Sequence, residues 1–383
     1  MCTSTTPPLD PEVLSEMKPY LTEHYGNASS VHQLGREARV AMEESRERVA
    51  ACLGAEPSET AFTSGGTEAD NLALKGVLSA APGESEPAGL ITSASEHKAV
   101  LQPANRLSDQ GHPATILDPE QYGAVSPQQV EGAIDDWTVL VSIMHVNNEI
   151  GVETDIRSIS EICRKHDVLL YCDAVQSVGS HAPDVDDPGV DLMSVSGRKF
   201  YGPKGIGVLY VRSGVDLGPL VEEGSQERDR RGGTENVPAA VGLAEALERA
   251  VENAEERRQR LSTLQQRLIN GLDDAVPGPY VFNTPIGDAP VSPHVVNVSF
   301  PPDGGGPVDG EMLILNLDME GVLVSAGSAC TSGALEPSHV LQTLGLDRET
   351  TSVAVRFSLG AHTTEEEIDF ALDKLNTIHR RMR

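Results

Sequence analysis

Short apolar runs alternate with helix-forming segments along the first half of the chain, and this alternation limits the folds open to it. Runs at 60–63, 90–93, 139–145, 168–172, 191–195 and 206–211 read as strands, and helical patterns occupy 35–53, 68–78 and 98–109. In the first of these helices Ala38, Met42, Val49 and Leu53 recur near helical spacing, and Gly54 supplies a stop. Strands interleaved with helices imply an α/β fold with a mostly parallel sheet covered on both faces.

A long charged helix over 239–272 then joins this domain to a smaller α+β unit, with its Glu255-Glu256-Arg257-Arg258 cluster expected on a solvated face. The smaller unit is read from a strand at 295–300, a helix at 310–318, a loop holding Cys330, a strand at 352–358 and a helix at 364–382. The Pro/Gly-rich stretch 301–307 is a flexible connection and not a domain boundary. The expected division is 14–258 for the large domain, with 1–13 and 259–383 forming the small one. There is no internal repeat or low-complexity region.

No apolar run in the 383 residues is long enough to span a bilayer, so a cytoplasmic location without membrane contact is expected. Cys2, Cys52, Cys163, Cys172 and Cys330 are odd in number and scattered, with no CxxC pair and no secretory signal, which argues for reduced thiols and against a disulfide framework or a metal site. The formal charge of −29, with arginine well ahead of lysine, fits a GC-rich genome and a salt-rich cytoplasm, or plain solubility. Such a field repels phosphate backbones, so non-specific nucleic-acid binding is not expected, and any nucleic acid is reached through a partner.

Chemistry-bearing residues gather where the expected strands end, the edge at which open α/β sheets bind ligands. Lys199, in Ser196-Gly197-Arg198-Lys199, lies just past the run ending at Val195, where a lysine can form a Schiff base. Asp173 follows Leu169-Leu170-Tyr171-Cys172 and is the partner that the ring nitrogen of pyridoxal 5'-phosphate (PLP) requires. The pair points to PLP.

Three further strand ends are consistent with that cofactor. Phe62-Thr63-Ser64-Gly65-Gly66-Thr67 is a strand, a glycine-rich turn and a helix start, whose free amides and Thr67 hydroxyl can converge on a phosphate, although an ordinary capped turn has the same pattern. His97 can stack on a pyridine ring and move protons near neutral pH, or serve as a surface or capping residue. Asn147-Asn148 can hydrogen-bond a phenolate oxygen or a substrate carboxylate, or form a turn.

The blocks FTSGGTEADNLALKG, SEHKAVL, LVSIMHVNNEIG, CDAVQSVG, DLMSVSGRKFYGPKGIGVLYVR, RRGGTENVP, SAGSACTSGALEPSHVL and VRFSLG occur in this order over nearly the whole chain. Together they resemble the cysteine desulfurases of the bacterial iron-sulfur assembly type, within the class V aminotransferases. The resemblance implies the PLP-dependent transferase fold of type I, with a seven-stranded, mostly parallel sheet in the large domain. It also implies a homodimer.

Position by position, Lys199 matches the family's Schiff-base lysine and its base at Cα, and Lys204 matches a lysine without that role. Asp173 matches the carboxylate on the ring nitrogen, Gln176 the partner of the phenolic oxygen and His97 the stacking acid/base. Phosphate contacts are implied for Gly66, Thr67 and Ser196, with Thr234 reaching across from a second subunit. Asn148 and Arg356 resemble the clamp on the substrate carboxylate, where an arginine fork gives paired hydrogen bonds; Arg356 by itself can equally be a structural ion-pair residue.

Cys330 sits in a stretch of small residues, 325–333, suited to moving a thiolate between cofactor and acceptor, whereas a buried structural cysteine more often has large apolar neighbours. Cys172 is its nearest rival, but strand alternation points it away from the ring. The implied reaction converts L-cysteine to L-alanine. Lys199 or His97 takes the Cα proton, the Cys330 thiolate attacks the substrate sulfur, and the persulfide passes to a sulfur-acceptor protein or a reductant.

The chain departs from the family pattern in three places. Arg198 stands where a histidine usually contacts the cofactor phosphate, and a guanidinium can make the same contact, so PLP affinity is expected to be retained. Ser4-Thr5-Thr6-Pro7 resembles the family's Ala-Thr-Thr-Pro, yet only Met1-Cys2-Thr3 precedes it, so a shortened or misassigned start is expected. The carboxyl end stops at Arg383 without the tail that many relatives use to dock an iron-sulfur scaffold, leaving iron-sulfur clusters, tRNA thiolation and DNA phosphorothioation open as destinations. Two other readings stay open. One is a different PLP reaction on the same fold, such as selenocysteine lysis, β-elimination or transamination, and the other is a weakly active scaffold that docks partners.

Overall fold

The apolar runs form one seven-stranded sheet in a computed structural model that describes residues 7–81, 88–120, 122–276, 278–301, 309–326 and 337–382. Its strands are β1 (Thr60–Thr63), β2 (Gly89–Ser93), β3 (Ala114–Leu117), β4 (Thr138–Met144), β5 (Leu169–Asp173), β6 (Leu192–Ser196) and β7 (Gly207–Val211), in the order β1-β7-β6-β5-β4-β2-β3. Only β7 runs against its neighbours, β1 and β6; the other pairs are parallel, as expected. Asp173 pairs in register with Met144 of β4 and Ser194 of β6, so the carboxyl ends of these three strands share one edge of the sheet.

Side chains of β5 show why both faces need cover. Leu170 and Cys172 pack with Val49, Val141, Val195 and Leu243, whereas Tyr171 packs on the other side with Leu72, Leu140 and Leu192. Successive strand residues leave opposite faces, and each fully buried side chain of this size contributes about 1.5–3 kcal/mol, so a layer of helices is favoured on each side. The helix Gly66–Ala80 covers one face through Leu72, Leu74 and Val77. The helices Gln33–Leu53 and Val237–Glu252 cover the other.

A second, antiparallel sheet holds β8 (Val281–Phe282), β9 (Val295–Ser299) and β10 (Ala354–Ser358), in the order β10-β9-β8. It has its own apolar cluster, to which the helices Ala254–Ala275, Gly310–Met319 and Glu365–Met382 contribute Leu264, Leu313 and Leu375. Among the described residues no helix is long and apolar enough to cross a membrane.

Several sequence expectations need correction. The single helix over 239–272 is two helices, Val237–Glu252 and Ala254–Ala275, separated at Asn253. The first turns Leu243 and Leu247 toward the large sheet, and the second turns Leu261, Leu264 and Leu268 toward the small one; a break lets one chain segment serve two cores. Asn253 bonds back from Nδ2 to the Arg249 carbonyl. Arg257 and Arg258 are half-buried, not on a solvated face, because their donors reach Gly179 O, His181 and Glu153. The strand expected at 352–358 begins at Ala354, after a short helix Arg348–Ser352. Strand β3 and the helices Pro11–Thr22, Pro127–Ala133 and Ile156–Lys165 were not anticipated. Residues 4–6, most of the 301–307 connection and the Cys330 loop lie outside the described residues.

A buried ion pair ties the helix Gln33–Leu53 to the loop before Val237. Arg46 donates from both terminal nitrogens to Glu227 at 2.8 and 2.9 Å, and Glu227 also accepts the Phe62 amide at 2.8 Å. Glu227, Arg228 and Asp229 adopt left-handed backbone angles, φ 46, 55 and 64, to bring that carboxylate inward.

Candidate active site

The shared strand edge collects most of the chemistry-bearing side chains. Asp173 closes β5; Ser196 closes β6, and the tight turn Gly197–Phe200 that follows carries Arg198 and Lys199. His97 caps the helix Lys98–Asp109, with its Nδ1 accepting the Ala99 amide at 3.1 Å. The charges of His97 and Lys199 both act on Asp173, and that of Lys199 acts on His97, so three residues distant in sequence meet in one site. Gln176 and Lys199 line a common cavity with Phe200, Tyr201, Arg257 and His294.

Asp173 is 6% exposed, and its Oδ1 accepts the Val175 amide at 2.9 Å. Burial raises its pKa, while that amide and the positive charges of His97 and Lys199 oppose the rise. Behind it Asp70 is pushed well above the usual carboxylate range by burial and then by the Asp173 charge, so Asp70 is the protonated member of the pair. Its Oδ1 accepts from Tyr171 Oη at 2.6 Å and Ser194 Oγ at 3.0 Å. The negative charge is thereby left on Asp173, at the site's inner wall, where a cation is needed to complete it.

His97 is open to solvent at the mouth yet surrounded closely enough that desolvation lowers its pKa; Asp173 opposes this, and Lys199, His339 and Arg198 add to it. A neutral imidazole at neutral pH follows, suited to stacking and proton exchange. Beside it Glu96 is fully buried, and its pKa is raised well above the usual range by burial, so it is a neutral carboxyl holding the Met144 amide at 2.7 Å.

The turn after β1 forms an anion cradle. Gly65, at φ 142, caps the helix Gly66–Ala80 without any side-chain bond to the first-turn amides. The backbone of Gly65 lies in a region that favours glycine, a Cβ on Gly66 would meet Val175 Cγ2 at 2.8 Å, and Ser196 Oγ stands 3.8 Å from where a Gly65 Cβ would be, so the Ser196 hydroxyl and the helix amides border the same space. Thr67 and Arg198 are exposed beside it. Phosphate cradle, buried carboxylate and strand-end lysine together fit PLP: the amides and Ser196 would take its phosphate, Asp173 its ring nitrogen and Lys199 its aldehyde.

Arg356, on β10, reaches from the second sheet to the first. Its guanidinium donates to the Asn148 carbonyl at 2.7 Å and to Ser325 Oγ at 3.0 and 3.2 Å, while Asn148 Oδ1 is buried without a hydrogen-bond partner. Thr234 is exposed on a cavity of about 290 Å³ that Ser64, Gly205 and Arg231 also line. Cys330 lies outside the described residues. Cys172 is buried in the apolar cluster on the opposite face of β5 from Tyr171, with its thiol pushed well above the usual range by burial.

Sequence reasoning missed several groups. Glu149 is buried, accepts from Ser338 Oγ and has its pKa raised to about 7, chiefly by burial. His339 bonds from Nε2 to Glu96 O at 2.8 Å, next to His97. His294 shares the Lys199 cavity. Glu149 and His339 lay within the quoted motifs without a signal of burial, and His294 stood outside every motif.

A model of the family described as aminotransferase class V matches residues 2–370. A cysteine desulfurase IscS of Dictyoglomus turgidum is 43% identical over 380 residues, covering 99% of this chain and 94% of its own. The solved structure of a NifS-like protein superposes with a TM-score of 0.91 at 37% identity, covering 99% of this chain and 98% of its own. One of SspA in complex with cysteine gives 0.81 at 36% identity, covering 95% and 99%. Family match, full-length identity and superposition agree that this chain belongs to the class V aminotransferases and, among them, to the cysteine desulfurases.

Proposed function

We propose that this protein is a PLP-dependent cysteine desulfurase that converts L-cysteine to L-alanine, holds the sulfur as a persulfide on Cys330 and passes it to an acceptor. The family depends on PLP. The observation that carries the reading is the meeting of Lys199, His97 and buried Asp173 at one sheet edge beside the Gly65-Gly66 cradle.

When bound, PLP supplies an electron sink that makes the substrate Cα proton removable. Asp173 keeps the ring nitrogen protonated, and the protonated Asp70 behind it leaves the charge where it is needed. Lys199 takes the Cα proton, with the neutral His97 as a second proton carrier at the mouth. Arg356, held by Ser325 and the Asn148 carbonyl, binds the substrate carboxylate with Asn148 and orients the Cβ–S bond. The Cys330 thiolate attacks the substrate sulfur: an S–S bond forms, the Cβ–S bond breaks with its electrons returning to carbon, and carbon is reprotonated to give alanine. Cysteine plus enzyme thiol therefore equals alanine plus enzyme persulfide, with no external oxidant.

The same reading keeps a large and a small domain divided near 258/259; the two sheets with separate apolar clusters support the division, and the helix break at Asn253 lies a few residues before it. It also includes a homodimer in which Thr234 contributes to the neighbouring subunit's phosphate site.

Purified protein given L-cysteine, PLP and a thiol reductant is expected to release alanine and sulfide in equal amounts. Pyruvate with sulfide would instead indicate β-elimination, and cysteine consumption with neither product would sink the proposal.

A further inference from the structure

Glu149 has no part in the scheme above, yet its surroundings converge on the substrate clamp. It is 3% exposed and directly follows Asn148, in the loop between β4 and the helix Ile156–Lys165. Gly151, at φ 75, turns this loop back, so that the Asn147 amide donates to the Val152 carbonyl and the Asn147 carbonyl accepts the Gly151 amide. Asn147 Oδ1 accepts the amides of Glu149 and Ile150 at 2.9 and 3.1 Å, and Asn147 Nδ2 donates to the Ser95 carbonyl at 2.9 Å. Asn147 is therefore the turn residue, and it fixes the N–H of the peptide unit that joins Asn148 to Glu149.

The other side of this unit is held from the second sheet. Arg356 on β10 and Asn297 on β9 stand directly opposite each other in the strand register, so their side chains leave the same face. Arg356 Nη1 donates to the Asn148 carbonyl at 2.7 Å, and Asn297 Nδ2 donates to the Glu149 carbonyl at 3.0 Å. Asn297 is itself fully buried and is oriented by Asn283, whose Nδ2 donates to Asn297 Oδ1 at 2.8 Å. The third support is the Glu149 side chain: its Oε2 accepts from Ser338 Oγ, which in turn accepts the Leu341 amide as the cap of the helix His339–Thr343. Two consecutive carbonyls and one carboxyl of a single loop thus meet three separate segments from the carboxyl-terminal part of the chain.

We propose that Glu149 is a positioning residue for the substrate carboxylate: pinned by Ser338, it fixes the peptide whose carbonyl aims the Arg356 fork, and with it the Asn148 side chain. The inference rests on Arg356 and Asn148 being the carboxylate clamp of the proposed desulfurase. Paired hydrogen bonds from a guanidinium demand an aimed fork, so a loosened carbonyl costs affinity for a carboxylate in particular. Burial first raises the Glu149 pKa to about 7, against the Ser338 bond and the charges of Arg356 on β10 and of Lys98 at the start of the helix Lys98–Asp109. Near neutral pH the carboxyl is therefore protonated in part, which leaves the Arg356 charge available to a substrate. What Glu149 supplies is a hydrogen-bond acceptor in a fixed place, and an amide oxygen can supply the same.

The test compares two ligands on the PLP-loaded protein, each titrated and followed by the cofactor's absorbance: L-alanine, which carries the carboxylate, and L-alaninamide, which has an uncharged amide there. Glu149→Ala is expected to weaken L-alanine about tenfold, the scale of one hydrogen bond to a charged group, and L-alaninamide by less than about twofold. Glu149→Gln keeps an acceptor for Ser338 and is expected to hold L-alanine within about threefold of the unaltered protein. Unaltered affinity for L-alanine in Glu149→Ala, equal weakening of both ligands, or no recovery in Glu149→Gln would overturn the proposal, equal weakening being the mark of a residue that only supports the fold. Should Glu149→Ala not fold, Ser338→Ala decides: it leaves the carboxyl unanchored and is expected to weaken L-alanine about threefold, and no change there refutes the idea. Arg356→Lys separates the two layers of the argument. Retained L-alanine affinity in that variant would remove the clamp reading and this inference together, whereas a loss there with none in Glu149→Ala would remove this inference alone. Neither ligand carries sulfur, so the outcome is independent of whether the protein makes alanine from cysteine.

Discussion

Replacing Lys199 by alanine is expected to lower alanine formation from L-cysteine by about a thousandfold or more, the scale on which a covalent anchor that is also the general base is missed. Lys199 lies in the tight turn that follows β6, between the buried Gly197 and Phe200, where its charge acts on Asp173, His97 and His294. Lys204, five residues on and exposed, shares none of these surroundings. Lys204→Ala is therefore expected to keep most of the activity. Alanine assays on the two variants side by side check the assignment, and equal losses would contradict it.

The second large effect is expected at Asp173. Asp173→Asn preserves shape but removes the negative charge on the inner wall, so the ring nitrogen of the cofactor would lose its proton and much of its pull on the Cα electrons. A loss of about a hundredfold in kcat is expected, in the range for removing one preorganised electrostatic partner. Asp70 provides the control. It is raised well above the usual range by burial and the Asp173 charge, and its Oδ1 accepts from Tyr171 and Ser194, a role an amide oxygen also fills. Asp70→Asn is expected to cost far less. If the two asparagine variants lose activity equally, the assignment of charge within this pair is wrong.

What the sequence disclosed and what it hid divide along physical lines. Strand-end positions were legible because the apolar runs are short and end at polar or glycine residues, so the ends of β1, β5 and β6 fell within a residue of their expected places and carried Gly65, Asp173 and Ser196 with them. The break at Asn253 was hidden because helical periodicity continues through it; only the two separate cores demand it. Strand β3 was hidden because an edge strand is half-exposed and its apolar signal is diluted. Glu227 and His294 depend on partners far along the chain, Arg46 and Phe62 in one case and the Ser292-Ser180-His181 chain in the other, and no local pattern announces such pairings.

The central claim is that substrate sulfur arrives on Cys330. The most direct measurement treats the PLP-loaded protein with L-cysteine in the absence of reductant, blocks free thiols, and reads each cysteine-containing peptide by mass spectrometry. One extra sulfur on the Cys330 peptide, with alanine formed in equal amount and none on the peptides of Cys2, Cys52, Cys163 or Cys172, is the predicted result; alanine formed with Cys330 unmodified, or the sulfur found on another cysteine, would contradict it.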